Sequence, residues 1–153
     1  SAIDSEKERL FRELIQGRVQ PMNGVRIWLD RFAGEACHQA IGSSAPQANI
    51  DALVDEMGIR NYFKAIVSGA NMPGKPDPAV FLEAARLMEI PAEKNLVIED
   101  SVAGVAAARR AGMKCLAVLT SHSREALNDA HLVVEGLDQL SPDDLQKLIA
   151  IHD

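Results

Sequence analysis

The sequence predicts an α/β fold in which a parallel sheet is covered by helices on both faces, and three observations predict it. Short apolar runs recur without internal polar alternation, as strands buried on both faces do. A stretch with helical spacing of its apolar residues separates each run from the next. Polar and small residues close each run, at the strand ends where ligands gather in open parallel sheets.

The elements follow in order. "DSEKERLFRELIQG" sets Ser5 and Glu8 at capping-box spacing, lines up Leu10, Phe11, Leu14 and Ile15, and stops at Gly17, which predicts a helix. Asp4, just before it, reads as a helix-start acid. Gly17, Pro21 and Gly24 mark a break across "GRVQPMNG". "NGVRIWLDRFAG" predicts a second helix, with Val25, Trp28, Leu29 and Phe32 on one side and Gly34 as its stop. "ACHQAIG" predicts the first strand, closed by "SSAP", and "QANIDALVDEMG" the helix after it, through Ile50, Leu53, Val54 and Met57. The unit then repeats as the strand "AIVSG", the loop "ANMPGKPDP" and the helix "AVFLEAARLME". It recurs as "NLVIED" before the helix "SVAGVAAARRAG", and as "CLAVLT" before the helix "SHSREALNDA". "LVVEG" adds a strand and "SPDDLQKLIA" a closing helix.

A chain of 153 residues suits one compact domain with a substantial core. Its 47% apolar and 25% charged residues are those of a soluble globular protein. A net charge of -6 provides no general basic field, which argues against nucleic acid as a partner. "SAIDSEKERL" is polar where a signal peptide is apolar, and no run approaches the roughly 20 apolar residues of a membrane span. The expectation is a cytoplasmic protein with no membrane partner. Cys37 and Cys115 lie in apolar, strand-like runs and are expected as small buried hydrophobes rather than a disulfide framework. His38, His122, His131 and His152 are scattered without triad or metal spacing and read as structural or surface residues.

The strand ends carry the candidate chemistry. Glu99 and Asp100 stand side by side where an apolar run stops, and their mutual repulsion calls for a cation or hydrogen bonds. Magnesium would answer it, because Mg²⁺ takes one or two carboxylates and completes its shell with water and a substrate phosphate. Equally, Asp100 or Ser101 would cap the helix that begins near Val102. Lys75 in "GKPDP" presents an ammonium from a backbone constrained by Pro76, or is a solvated surface lysine. Ser43 and Ser44 offer hydroxyls and nearby free amides to phosphate oxygens at the start of a helix, or serve as turn and cap residues. Thr120 and Ser121 close the fourth strand. Neither GxxxxGK[ST] nor GxGxxG occurs, so the common nucleotide fingerprints are absent.

The ordered combination, an apolar strand ending in Ser, then Lys before Pro, then an apolar strand ending in Glu-Asp, resembles the haloacid dehalogenase (HAD) superfamily, in its β-phosphoglucomutase-like phosphatase branch. "AIGSSAPQANI", "GANMPGKPDPAVFLEAA" and "NLVIEDSVAGVAAARRAGM" carry the resemblance, which extends from about Pro21 to Leu137. It implies a three-layer Rossmann-like core over residues 21–153, preceded by a remnant of a helical cap and linker over residues 1–20. It implies a Mg²⁺-dependent phosphohydrolase or phosphomutase acting on small phosphomonoesters such as sugar phosphates. Ser43, Ser44 and Lys75 would hold the phosphate, and Glu99 and Asp100 the magnesium. Ser43, Lys75 and Asp100 would serve catalysis.

The departure from the family pattern is the DxDG signature of the N-terminal strand, which supplies the nucleophile and the general acid and base; the chain contains no such sequence. In the family that strand lies between the strand ending at Ser43 and the strand ending at Asp100. Its absence implies two inner edges that an N-terminal segment or a second chain would complete, and a 153-residue chain that is inactive alone. A noncatalytic remnant or scaffold that keeps the phosphate and metal site is the alternative. A phosphoacceptor receiver domain, the third reading, is disfavoured because its acids would end the first strand and here they end the third.

Overall fold

The computed structural model describes residues 24–151. The predicted helix over residues 5–17, Asp4, the remnant over residues 1–20 and His152 lie outside the described residues. In chain order the elements are α1 (Val25–Gly34), β1 (Ala40–Ser43), α2 (Gln47–Met57), β2 (Ala65–Ser68), α3 (Ala79–Met88), β3 (Leu96–Glu99), α4 (Val102–Arg110), β4 (Lys114–Val118), β5 (Leu132–Val134) and α5 (Pro142–Ala150). Every strand pair is parallel. The α/β fold class is the one the sequence predicts.

The strands form two sheets rather than one. β1 pairs with β2, from Ala40 opposite Ala65 to Ser43 opposite Ser68. β3 pairs with β4, Glu99 opposite Ala117, and β4 with β5. Among the described residues no strand joins β1 to β3, so the gap lies where the family resemblance puts its missing strand.

Alternation along the strands sorts the core into three layers. Ala40, Val67, Val97, Cys115 and Ala117 face α3 and α4, and with Val80, Phe81, Ala84, Val105 and Ala108 make one continuous cluster across both sheets. On the opposite face Leu116, Val118 and Val134 pack with Trp28 of α1 and with Leu145 and Leu148 of α5. Ile41 and Ile66 face Leu29 of α1 and Ile50 and Val54 of α2. Neighbouring residues of α1, Trp28 and Leu29, thus serve different sheets, and the helix straps the two halves together across the gap. Its fixing contacts are directional: Trp28 Nε1 donates to the Leu137 carbonyl at 2.9 Å, Arg26 donates to the Met57 carbonyl, and the Tyr62 hydroxyl donates to Asp30.

Three expectations are corrected. Residues 36–39 are not strand: α1 continues through Gly34, and Ala36 adopts a left-handed backbone with φ 58° that turns the chain before β1 begins at Ala40. Cys37 is therefore exposed and not a buried hydrophobe, whereas Cys115 on β4 is fully buried as expected. "SHSREALNDA" forms successive turns instead of a helix. It has a single leucine to bury, Leu127, which reaches the main core with none of its surface exposed, so no second apolar row holds a regular helix there. Among the described residues no helix is long and apolar enough to cross a membrane.

Candidate functional site

The carboxyl ends of the strands deliver the candidate residues, and one lysine draws two of those ends together. Lys75 Nζ lies 2.7 Å from Glu99 Oε2 and donates to the Gly42 carbonyl at 3.3 Å. The Ser43 carbonyl accepts from Gly69 on the β2 side, so alternation turns the Gly42 carbonyl to the opposite edge of β1, the one that borders the gap. Lys75 therefore satisfies an edge carbonyl of one sheet with the same ammonium that pairs with the last residue of β3 in the other.

Local packing holds it there. Its ammonium sits 4.7 Å from the Phe81 ring centroid, a cation-π contact. Gly42 gives Phe81 room there: a Cβ at residue 42 would stand 3.1 Å from the ring, closer than ordinary van der Waals contact. Ahead of α3, Asp77 accepts from the Ala79 amide at 2.9 Å, which ties the loop that carries Lys75 to the helix start. The Lys75 and Glu99 side chains keep only 15% and 10% of their exposure, so this ion pair is largely withdrawn from water.

Glu99 and Asp100, adjacent in sequence, have opposite surroundings. Both Glu99 oxygens are engaged: Oε2 by Lys75, and Oε1 by the Asp100 amide at 3.0 Å and the Ser101 hydroxyl at 3.3 Å. Its side chain lies across the start of α4, in space that a Cβ at residue 104 would overlap, so Gly104 is what admits it. The helix cap is Ser101, whose Oγ accepts from the Gly104 amide at 2.9 Å. The cap therefore falls on Ser101, and Asp100 is left exposed, with Oδ2 accepting from the Thr120 hydroxyl at 2.9 Å.

Ser43 ends β1 one residue beyond Gly42 and accepts from the Ala45 amide at 3.2 Å, which leaves its hydroxyl proton free to donate. Ser44 is exposed beside it, and α2 starts at Gln47 with no side-chain cap on its amides. The structure brings Lys75, Glu99 and the β1 terminus into one cluster, with Asp100 tied to Thr120 on the β4 side. A cleft of about 370 Å³ opens next to Asp100, with Ile98, Val118 and Leu137 as apolar walls and Asp100, Thr120 and Glu135 among its polar ones.

Among the described residues, no three His, Cys, Asp or Glu groups converge as a ready-made metal cage. The donor set still fits Mg²⁺, which binds through as few as one or two carboxylates and takes water and phosphate for the rest. Asp100 supplies an exposed carboxylate with one oxygen to spare, and Thr120 and Glu135 line the same cleft. Among the described residues, no histidine joins this cluster. His38 and His122 are exposed, and His131 accepts from the Cys115 amide at 3.0 Å and contacts Arg109. Burial pushes the Cys115 thiol up to about 12, with Glu99 adding to the shift and Arg109 opposing it.

The sequence marked Ser43, Ser44, Lys75, Glu99, Asp100 and the Thr120 strand end. The parts played by Gly42, Phe81 and Gly104 were not legible there, since each depends on a side chain crossing from another element.

A family model for haloacid dehalogenase-like hydrolases matches residues 3–118. The chain is 34% identical over 143 residues to the chloroplastic 5-amino-6-(5-phospho-D-ribitylamino)uracil phosphatase of Arabidopsis thaliana, covering 93% of this chain and 38% of that protein. It is 34% identical over 127 residues to a phosphoglycolate phosphatase of Pseudomonas fluorescens, covering 82% of this chain and 45% of that protein. The chain thus spans less than half the length of these curated relatives. A crystal structure of β-phosphoglucomutase from Clostridium difficile superimposes with a TM-score of 0.80 at 24% identity, covering 95% of this chain and 63% of that one, a likeness of fold.

Proposed function

Because this chain belongs to the haloacid dehalogenase-like hydrolases, we propose that its described residues form the phosphate- and Mg²⁺-binding half of a phosphohydrolase or phosphomutase acting on small phosphomonoesters. The observation that carries this reading is the Lys75 ammonium, held between Glu99 and the Gly42 carbonyl at the strand ends, with the exposed Asp100 carboxylate next in the chain.

Each residue has work it is equipped for. An ammonium has three donors; Lys75 uses two on Glu99 and Gly42, and the third, beside the Phe81 ring, would turn to a phosphoryl oxygen. Ser43 donates its hydroxyl proton to a second oxygen, and the uncapped amides at the start of α2, together with Ser44, favour the anion from the same side. Asp100 is the residue that would hold Mg²⁺, while Glu99, the other acid expected at the metal, is taken up by Lys75 and holds that lysine beside the site. When bound, the metal neutralises phosphoryl charge and orients the group for in-line attack. Positioning and electrostatic stabilisation supply most of the catalysis in such reactions.

The nucleophile has no counterpart among the described residues, and the sequence contains no DxDG. The gap between β1 and β3 is where a strand carrying one would lie. The test is phosphate release from a generic phosphomonoester in the presence of Mg²⁺. The 153-residue chain releases none, and joining an N-terminal segment with a DxDG-bearing strand restores release that Asp100→Asn abolishes. Turnover by the 153-residue chain itself, lost on Asp100→Asn, would contradict this account of the nucleophile.

A further inference from the structure

We propose that Thr120 is a positioning residue for Asp100, fixing one carboxylate oxygen by hydrogen bond so that the other is presented to a divalent cation. The inference rests on the metal reading of Asp100 above and adds to it the residue that makes the carboxylate ready.

The two adjacent acids are treated differently. Glu99 faces a full positive charge at 2.7 Å and two further donors, so its charge is spent inside the protein. Asp100 faces a neutral hydroxyl at 2.9 Å, which restricts its rotation without supplying a competing cation. Among the described residues its Oδ1 accepts no hydrogen bond, and the side chain opens to the cleft. A carboxylate held by one oxygen and free at the other is the arrangement in which an outer hydrogen bond orients a metal ligand.

Position explains why residue 120 can do this. β3 and β4 run parallel in register, Glu99 opposite Ala117, and β4 continues past that level before the chain turns at Thr120. Asp100, just beyond the end of β3, therefore finds the terminus of the neighbouring strand beside it. Threonine suits the role because its branched Cβ restricts χ1, so the hydroxyl is aimed before any ligand arrives. Thr120 is itself exposed, so no packing requirement accounts for it.

The test is Mn²⁺ binding to the 153-residue chain, followed through the electron paramagnetic resonance of free Mn²⁺ in the presence of inorganic phosphate. Thr120→Val should weaken Mn²⁺ binding by about tenfold, the lower range for loss of an outer-sphere partner, and Thr120→Ser should recover most of it. Thermal unfolding of each variant checks integrity, and Thr120→Ala repeats the measurement should the valine disturb the fold. Asp100→Asn separates the two claims. Binding lost in Asp100→Asn but unchanged in Thr120→Val and Thr120→Ala overturns the positioning role alone. Binding unchanged in Asp100→Asn, or absent from the parent chain into the millimolar range, overturns the metal reading and this inference with it.

Discussion

Gly104 is the residue on which the geometry of the acidic pair turns. Any side chain there meets Glu99, so Gly104→Ala must drive the carboxylate off the α4 terminus and away from Lys75. What gives way is the end of a flexible side chain, so the cost is that of the lost Lys75 contact rather than of overpacking. The specific expectation is coupling: in urea titrations, Glu99→Gln should destabilise the parent chain markedly and the Gly104→Ala variant little, because the interaction it removes is already broken. Additive effects would mean that Glu99 finds another path to Lys75. The two thiols give a simpler check. Cys37 is exposed, and Cys115 is buried with its thiol raised to about 12. At mildly alkaline pH one thiol of the native chain should react with a disulfide reagent, and the second only after unfolding. Glu99-Asp100 was visible in the sequence because two acids close an apolar run, and Lys75 because it stands between Gly74 and Pro76. The division of labour between Glu99 and Asp100 was not, since it depends on Lys75 and Thr120 arriving from the segments that follow β2 and β4.

Among the elements, α5 shows how a terminus is written into sequence. Ser141 accepts from the Asp144 amide at 3.0 Å and Asp144 accepts from the Ser141 amide at 3.1 Å, closing a capping box with Pro142 at the first turn. Ser141→Ala should cost about 1 kcal/mol in chemical denaturation. The bonds from Ser141 hold the Asp144 carboxyl below the usual carboxylate range. A lowered folded-state value means that its contribution is complete above the ordinary range and is lost as pH falls through the folded value. Between neutral pH and the acid transition, Asp144→Asn should therefore flatten the pH dependence of stability. An unchanged slope would show that the bond makes no difference between the folded and unfolded chains. β2 through β5 were legible because each is a compact apolar run between breakers. The start of β1 was not, because "ACHQ" runs into "AIG" with no glycine or proline to mark the turn that Ala36 makes. The stretch from Ser121 to Ala130 has helix-forming composition without helical spacing, and the spacing decided its structure.

At the scale of the whole molecule, the two half-sheets share no ladder, and the N–H groups that alternation aims into the gap are the exposed ones. Asn95 accepts from Lys114, so Val97 faces β4 and Ile98 faces the gap, as Gly42 does on β1. Amide exchange at Gly42 and Ile98 should be much faster than at Val97 and Leu116 in the 153-residue chain. Joining a strand-bearing segment should slow both together, and protection of both amides in its absence would mean that the edges are already paired. The parallel order and three layers were readable from the rhythm of runs. The division into two and three strands was not read from that rhythm, since a gap between neighbouring strands has no composition of its own; the family resemblance alone implied it. One further property follows from the strap formed by α1. The chain's single tryptophan sits on it, against β4 and β5, one residue away from the leucine that touches the other half. The protein therefore carries its own optical gauge: a shift in indole emission on adding a segment would register the two halves moving relative to each other, without any label.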